Sequence, residues 1–222
     1  MTRLAVFDCD GTLVDSQANI CRACVLAFDA NDLTPPPAPA IRRIVGLSLV
    51  EAMRALAPDA GEVAHHRLAA DYKDAFRALR ADGRLDPEPL FPGVAAALDA
   101  LATHGWLLGV ATGKSDRGLA LVLDHHGIAD RFVTLQTADR HPSKPDPAML
   151  DAALAEAGVP PHMAAMIGDT SFDMAMARAT GCRAVGVAWG YHAPAELAAA
   201  GADAVVDCAA DLTARLAALI AA

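Results

Sequence analysis

The sequence predicts an α/β protein, a parallel-sheet core interrupted early by an inserted helical block. Three observations predict it. Short apolar runs recur and end in polar residues: Leu4–Phe7 before Asp8 and Asp10, Trp106–Ala111 before Thr112, and Ala164–Ile167 before Gly168 and Asp169. Stretches of about ten to fifteen residues with helical spacing separate these runs, the alternation of βαβ units with right-handed crossovers. Residues 40–85 break that rhythm, being helical throughout and bounded by proline clusters at Pro35–Pro39 and Pro87–Pro92, which act as stiff hinges.

Taken in order, Leu4-Ala5-Val6-Phe7 is apolar and bounded by a turn signal, as a strand buried inside a parallel sheet is. Acids at its carboxyl end lie where an open α/β sheet places its ligand crevice. Asp8 and Asp10 are two apart, so an extended chain points both to one side and Cys9 to the other. The expectation is two carboxylates converging on one small volume, a repulsion tolerated beside a cation or with one acid protonated.

Residues 16–31 then read as a helix, with Ile20, Cys24, Ala27 and Phe28 at helical spacing. Inside the helical block the periodicity gives helices over Ile41–Val45, Leu49–Leu56 and Val63–Leu79. From Gly93 a helix runs to His104, followed by a strand at Trp106–Ala111, a helix to His126 and a short strand at Phe132–Leu135. A helix over Asp146–Ala157 precedes the strand Ala164–Ile167, and a helix over Asp173–Thr180 precedes a strand at Ala184–Ala188. A short helix near Pro194–Ala200, a strand at Ala204–Val206 and an amphipathic helix close the chain.

Composition narrows the function. Of 222 residues, 54% are hydrophobic and 20% charged, enough for a sizeable core and against disorder. Lys and Arg number 18 against 27 Asp and Glu, a net charge of −9 with His neutral. Such a chain, without a basic run, is a poor partner for nucleic acid or an anionic membrane surface. An anionic substrate needs a local positive charge or a metal to overcome that field. No basic start with a long apolar segment precedes the first strand and no run is long enough to span a bilayer, so a cytoplasmic setting is expected. The cysteines Cys9, Cys21, Cys24, Cys182 and Cys208 are odd in number and scattered, which suits a reducing compartment. Cys21 and Cys24 form a C-x-x-C, but they lie in an amphipathic helix with no second ligand pair, so they read as ordinary helix residues.

Polar residues at strand ends and one loop make the candidate site: Asp8 and Asp10, Thr112, Lys144 in Ser143-Lys144-Pro145-Asp146-Pro147, and Asp169 with Asp173. Singly, each has an ordinary explanation. Thr112-Gly113 is a turn, Lys144 a loop lysine, Asp169-Thr170-Ser171 a helix cap, and Asp173 a first-turn acid facing the helix dipole. Together they supply what phosphoryl transfer needs: a carboxylate nucleophile, acids for Mg²⁺, a hydroxyl and backbone N–H for phosphate oxygens, and a lysine to neutralise charge.

The stretches Asp8-Cys9-Asp10-Gly11-Thr12, Ala111-Thr112-Gly113, Ser143-Lys144-Pro145-Asp146-Pro147 and Gly168-Asp169-Thr170-Ser171-Phe172-Asp173-Met174 resemble, in order, the four motifs of the haloacid dehalogenase superfamily. The resemblance spans nearly the whole chain. It implies a Rossmann-like core over residues 1–15 and 90–222 and a small helical cap over 16–89, as in phosphoglycolate-phosphatase-like members. By position it implies Asp8 as nucleophile and Asp10 as general acid/base. Mg²⁺ would sit on Asp8, the backbone carbonyl of Asp10 and Asp169, with Asp173 beside it as ligand or support. Thr112 and the Gly113 backbone would hold phosphoryl oxygens, and Lys144 would steady the aspartyl phosphate.

An Asp at position 10 argues for phosphate esters, because dehalogenases and phosphonate-cleaving members of the superfamily replace it. The expectation is therefore a phosphatase acting on a small phosphorylated metabolite. A phosphomutase of the β-phosphoglucomutase type and a non-catalytic binding protein on the same scaffold are the alternatives. Substrate choice should lie in the cap, where Arg42, Arg43 and the Gly46-Leu47-Ser48 turn are candidates, Arg43 foremost. His65-His66 and His125-His126 are adjacent pairs whose side chains diverge on a helix, so both read as surface or boundary residues. Trp189-Gly190-Tyr191-His192 resembles a loop of the same members and is given no role. Monomer and homodimer both remain open.

Overall fold

The computed structural model describes residues 2–221. Six parallel strands form one sheet in the order β3-β2-β1-β4-β5-β6. They are β1 (Arg3–Phe7), β2 (Trp106–Thr112), β3 (Thr134–Thr137), β4 (Ala164–Gly168), β5 (Arg183–Val187) and β6 (Ala204–Val206). In the register, Phe7 lies opposite Val110 of β2 and Ile167 of β4. The chain runs outward from β1 through β2 to β3, then crosses back to β4 on the other side. The order therefore reverses at β1, the place where such sheets open a crevice beyond their carboxyl ends.

Between β1 and β2 come α1 (Gln17–Asp29), α2 (Ala38–Arg43), α3 (Leu49–Leu56), α4 (Glu62–Ala81) and α5 (Val94–Thr103). After β2 follow α6 (Asp116–His125), α7 (Ala148–Ala157), α8 (Ser171–Thr180), α9 (Pro194–Ala199) and α10 (Leu212–Ala221). Alternation along β1 sorts its side chains to the two faces of the sheet. Ala5 and Phe7 pack with Leu98 of α5, Leu123 of α6 and Leu216 of α10. Leu4 and Val6 pack with Leu150 of α7, Met174 of α8 and Leu197 of α9. A parallel sheet covered on both faces explains why its strands read as continuous apolar runs.

The helices α1 to α4 bury a cluster of their own, in which Cys24 and Phe28 meet Ile41, Met53 and Leu68. Two short stretches tie this insertion to the sheet and run side by side. Val14 bridges Leu90 antiparallel, the Asp15 N–H donates to the Pro89 carbonyl at 2.9 Å and the Phe91 N–H to that of Leu13 at 3.0 Å.

The structure departs from the sequence reading in several local respects: the helix expected at Ile41–Val45 spans Ala38–Arg43, with Pro39 in its first turn, and the helix expected from Asp146 begins at Ala148. The strand expected at Phe132–Leu135 lies two residues later, at Thr134–Thr137, because polar side chains there find partners and the apolar Val133 is exposed. Thr134 Oγ1 donates to Glu156 at 2.6 Å and Gln136 Nε2 to Thr134 Oγ1 at 2.8 Å, so a polar edge strand costs little. The strand expected at Ala184–Ala188 spans Arg183–Val187, one residue earlier. The helix expected from Asp173 begins at Ser171 instead, because Thr170 accepts from the Asp173 N–H and Asp173 from that of Thr170, a capping box. His65 is buried rather than at a boundary, its Nε2 lying 2.9 Å from the Ala57 carbonyl, whereas His66 is exposed.

Candidate active site

Phe7 is the last residue of β1, and the next residues turn sharply as the Leu13 and Val14 amides both donate to the Cys9 carbonyl. That turn corrects one expectation. Asp10 is not part of the strand but of the turn, and it has partners of its own. Its Oδ1 accepts the Ser16 hydroxyl and pairs with Lys114 Nζ at 2.9 Å. Asp8 instead faces Lys144, whose Nζ lies 3.0 Å from Asp8 Oδ1 and 2.7 Å from Asp173 Oδ1. Gly11, at φ +83°, follows because a Cβ there would come 2.2 Å from Asp169 Oδ2, and only glycine fits both conformation and space.

Asp8, Asp169 and Asp173 are wholly buried, and each offers an oxygen within 4.8 Å of the others. Asp169 Oδ1 accepts the Thr12 hydroxyl at 2.9 Å and Oδ2 the Tyr191 N–H at 2.9 Å. Both oxygens of Asp173 are engaged, by Lys144 and by Thr170. Asp8 Oδ1 takes the Cys9 N–H as well as Lys144, and Asp8 Oδ2 is buried without a hydrogen-bond partner. Three buried carboxylates against one ammonium leave two negative charges. Burial therefore pushes the Asp8 carboxyl up to about 7, with Lys144 opposing and Asp173 and Asp10 adding. Asp169 is held well above the usual carboxylate range by burial and then by Asp8 and Asp173. Burial disfavours the Lys144 ammonium, but Asp173 and Asp8 outweigh it and hold its pKa above the ordinary lysine value. A hard divalent cation with oxygen ligands is what this excess charge and the free Asp8 oxygen fit.

The remaining candidates fall on either side of this cluster. Thr112, buried at the end of β2, accepts the Lys114 N–H at 3.2 Å. Gly113 lies under the insertion, where a Cβ would come 2.6 Å from the carbonyl oxygens of both Gly46 and Leu47. The Gly46 Cα region in turn covers Asp8, since a Cβ on it would be 3.8 Å from Asp8 Oδ2. Ser48 N–H donates to Ser143 Oγ at 2.8 Å, so the turn between α2 and α3 is seated on the loop that carries Lys144. Arg43, expected as a substrate anchor, is turned away: its guanidinium is exposed and pairs with Glu196 of α9 at 2.8 Å.

Several participants carried no role in the sequence reading. Lys114 and Ser16 hold Asp10, Thr12 and the Tyr191 amide hold Asp169, and His192 joins core to insertion. His192 Nδ1 accepts the Ser171 N–H at 3.1 Å, which leaves its Nε2 as donor to the Arg43 carbonyl at 3.1 Å.

This arrangement, three buried carboxylates and a lysine at the switch point of a parallel sheet, has the chemistry that a phosphoryl-handling enzyme needs. The chain belongs to the haloacid dehalogenase-like hydrolases, whose profile matches residues 5–187. Within them it is a phosphoric monoester hydrolase of the phosphoglycolate-phosphatase-like kind. It is 36% identical over 217 residues to phosphoglycolate phosphatase of Rhodospirillum rubrum, covering 93% of this chain and 88% of that one. It is 35% identical over 213 residues to the protein of Dickeya dadantii named probable phosphatase IndB, covering 93% and 90%. A hydrolase from Pseudomonas syringae superposes with a TM-score of 0.84 at 26% identity, over 98% of this chain and 99% of that one.

Proposed function

We propose that this phosphatase hydrolyses a small phosphorylated metabolite through an aspartyl phosphate on Asp8, with Mg²⁺ held by Asp8, the Asp10 carbonyl and Asp169. The observation that carries this reading is Asp8 Oδ2, a buried carboxylate oxygen with no partner in a cluster of excess negative charge. In water or in a merely structural role such an atom would be hydrogen-bonded.

In this reading Asp8 Oδ2 attacks phosphorus, and Lys144, fixed between Asp8 and Asp173, holds the carboxylate in place while neutralising its charge. When bound, the cation would supply positive charge to offset that of the phosphoryl group. Thr112 and the Gly113 amide hold the other phosphoryl oxygens. Asp10, oriented by Ser16 and Lys114, is the general acid/base, passing a proton taken up with the substrate to the leaving alkoxide and then taking one from the water that opens the aspartyl phosphate. Asp173 acts beside the cation by holding Lys144 and capping α8. Residues 16–89 form the cap that excludes water from the site. The cysteines are free, which suits a cytoplasmic setting.

The test is phosphate release from a panel of phosphorylated metabolites, phosphoglycolate among them, with Mg²⁺ or EDTA, for wild type and Asp8→Asn. Release that needs Mg²⁺ and is lost in Asp8→Asn supports the reading. Release that survives in Asp8→Asn overturns the nucleophile.

A further inference from the structure

We propose, on the basis of that phosphatase reading, that the substrate is a phosphomonoester of a bulky, largely apolar alcohol bearing a second anionic group away from the phosphate. A cleft of about 770 Å³ opens from Asp10, Gly113 and Lys114 and runs between the insertion and the start of α6. Along α4 its wall extends from His66 to Ala81, about 22 Å of helix at 1.5 Å per residue. Clefts of roughly 300–1,000 Å³ take ligands of drug size. A two-carbon acid phosphate would fill one end and leave the rest to water.

The space is not that of an insertion swung aside. Gly113 is pressed under Gly46 and Leu47, Ser48 is bonded to Ser143, and His192 reaches the Arg43 carbonyl. The cleft is therefore present with the insertion seated on the core.

Its walls describe the missing part of the ligand. Val45, Leu49, Met53, Tyr72 and Phe76 contribute apolar surface, and the Tyr72 and Phe76 rings lie side by side with centroids 6.0 Å apart. Covering such surface favours a ligand with an apolar or aromatic body, for which the phosphate end alone has no use. Lys73 and Arg80 of α4 and Arg117 of α6 line the same cleft, and among the described residues none of the three makes an ion pair. Arg77 beside them is already paired with Asp74 at 2.7 Å. In a chain with 27 acids and 18 Lys and Arg, three unpaired cations around one cleft are a local reversal of sign. The acids of the cleft offset them only in part: Asp10 is paired with Lys114, which leaves Asp139 as one carboxylate against the three cations. Tyr72 lines the cleft together with Asp10 and Lys114. Arg80, stacked over Phe76, is two turns further along α4, about 12 Å away. The second anion belongs toward that end of the cleft, away from Asp10 and Lys114.

The test compares three esters in Mg²⁺ with purified full-length enzyme: phosphoglycolate, phenyl phosphate, and phenyl phosphate carrying a para-propanoate arm. The two aryl esters have leaving groups of similar acidity, so their difference reads binding rather than chemistry. The expected order of kcat/KM is phosphoglycolate, then phenyl phosphate, then the propanoate ester, with about a tenfold gain at the last step. Arg80→Gln, and Lys73→Gln as an independent surface change, should each shrink the propanoate-to-phenyl ratio severalfold, through KM. Phosphoglycolate preferred over both aryl esters, or a ratio that neither variant moves, would overturn the proposal and leave the phosphatase reading standing. No Mg²⁺-dependent release from any of the three would remove that reading, and the proposal with it.

Discussion

Replacing Asp8 by Asn tests the electrostatics of the acid cluster without any turnover. The Asp8 carboxyl stands at about 7 in the fold against an ordinary 3.8, raised by burial, opposed by Lys144 and raised further by Asp173 and Asp10. A folded pKa above the unfolded one means that the native state holds the proton more tightly. The stability tied to that proton is full below about pH 4 and is lost as pH rises through 7. Roughly three pKa units at about 1.4 kcal/mol each put the loss on the order of 4 kcal/mol by pH 8 in metal-free protein. Asn has nearly the same shape and never ionises, so Asp8→Asn escapes this loss. Asp169, raised partly by Asp8, relaxes in the same direction. At about 2–4 °C per kcal/mol for a chain of this size, the variant should melt roughly 8–16 °C above wild type at pH 8 in EDTA. At pH 5 the gap should shrink to roughly a third of that. Thermal unfolding followed by circular dichroism at the two pH values measures it. A gap independent of pH, or a variant that melts lower at pH 8, would refute the reasoning.

The remaining predictions concern the same site and its cover. Mg²⁺ takes the place of a proton at the cluster, so its addition should raise the wild-type Tm more at pH 8 than at pH 5, as differential scanning fluorimetry would show. Lys144→Met strips the buried carboxylates of their cation and should cost about 3–5 kcal/mol, read as a lower urea midpoint that Mg²⁺ partly restores. Gly113→Ala puts a Cβ 2.6 Å from the Gly46 and Leu47 carbonyls, an overpacking of about 1–3 kcal/mol that should lift the turn off the site and lower kcat/KM. Arg43→Gln should leave both kcat and KM unchanged in steady-state assays, because that guanidinium is paired with Glu196 at the surface.

Much of this architecture can be read in the chain because each strand ends at the residues that matter. Asp8, Thr112 and Asp169 stand at the carboxyl ends of β1, β2 and β4, and apolar runs followed by abrupt polarity mark those ends without a structure. The helical insertion was equally legible, since proline clusters and a change of period enclose it. What could not be read depends on neighbours distant in sequence. Lys114 is an ordinary lysine after a Thr-Gly turn until the pairing of β2 with β1 brings it to Asp10. The Tyr191 contact to Asp169 is made by a backbone amide, which no side-chain pattern announces. Arg43 had the right chemistry for a substrate anion, and only the approach of α9 shows that Glu196 takes it. That Asp10 sits in a turn rather than in the strand is something the alternation of a strand does not anticipate.

In the proposed reaction Asp8 Oδ2 attacks phosphorus and water then opens the aspartyl phosphate. Two successive in-line displacements leave the configuration at phosphorus unchanged, whereas one direct attack by water inverts it. The most direct measurement is therefore hydrolysis, in oxygen-18 water, of an aryl phosphorothioate monoester made chiral at phosphorus with oxygen-16 and oxygen-17, with the configuration of the released inorganic thiophosphate determined. The account predicts retention; inversion would contradict it.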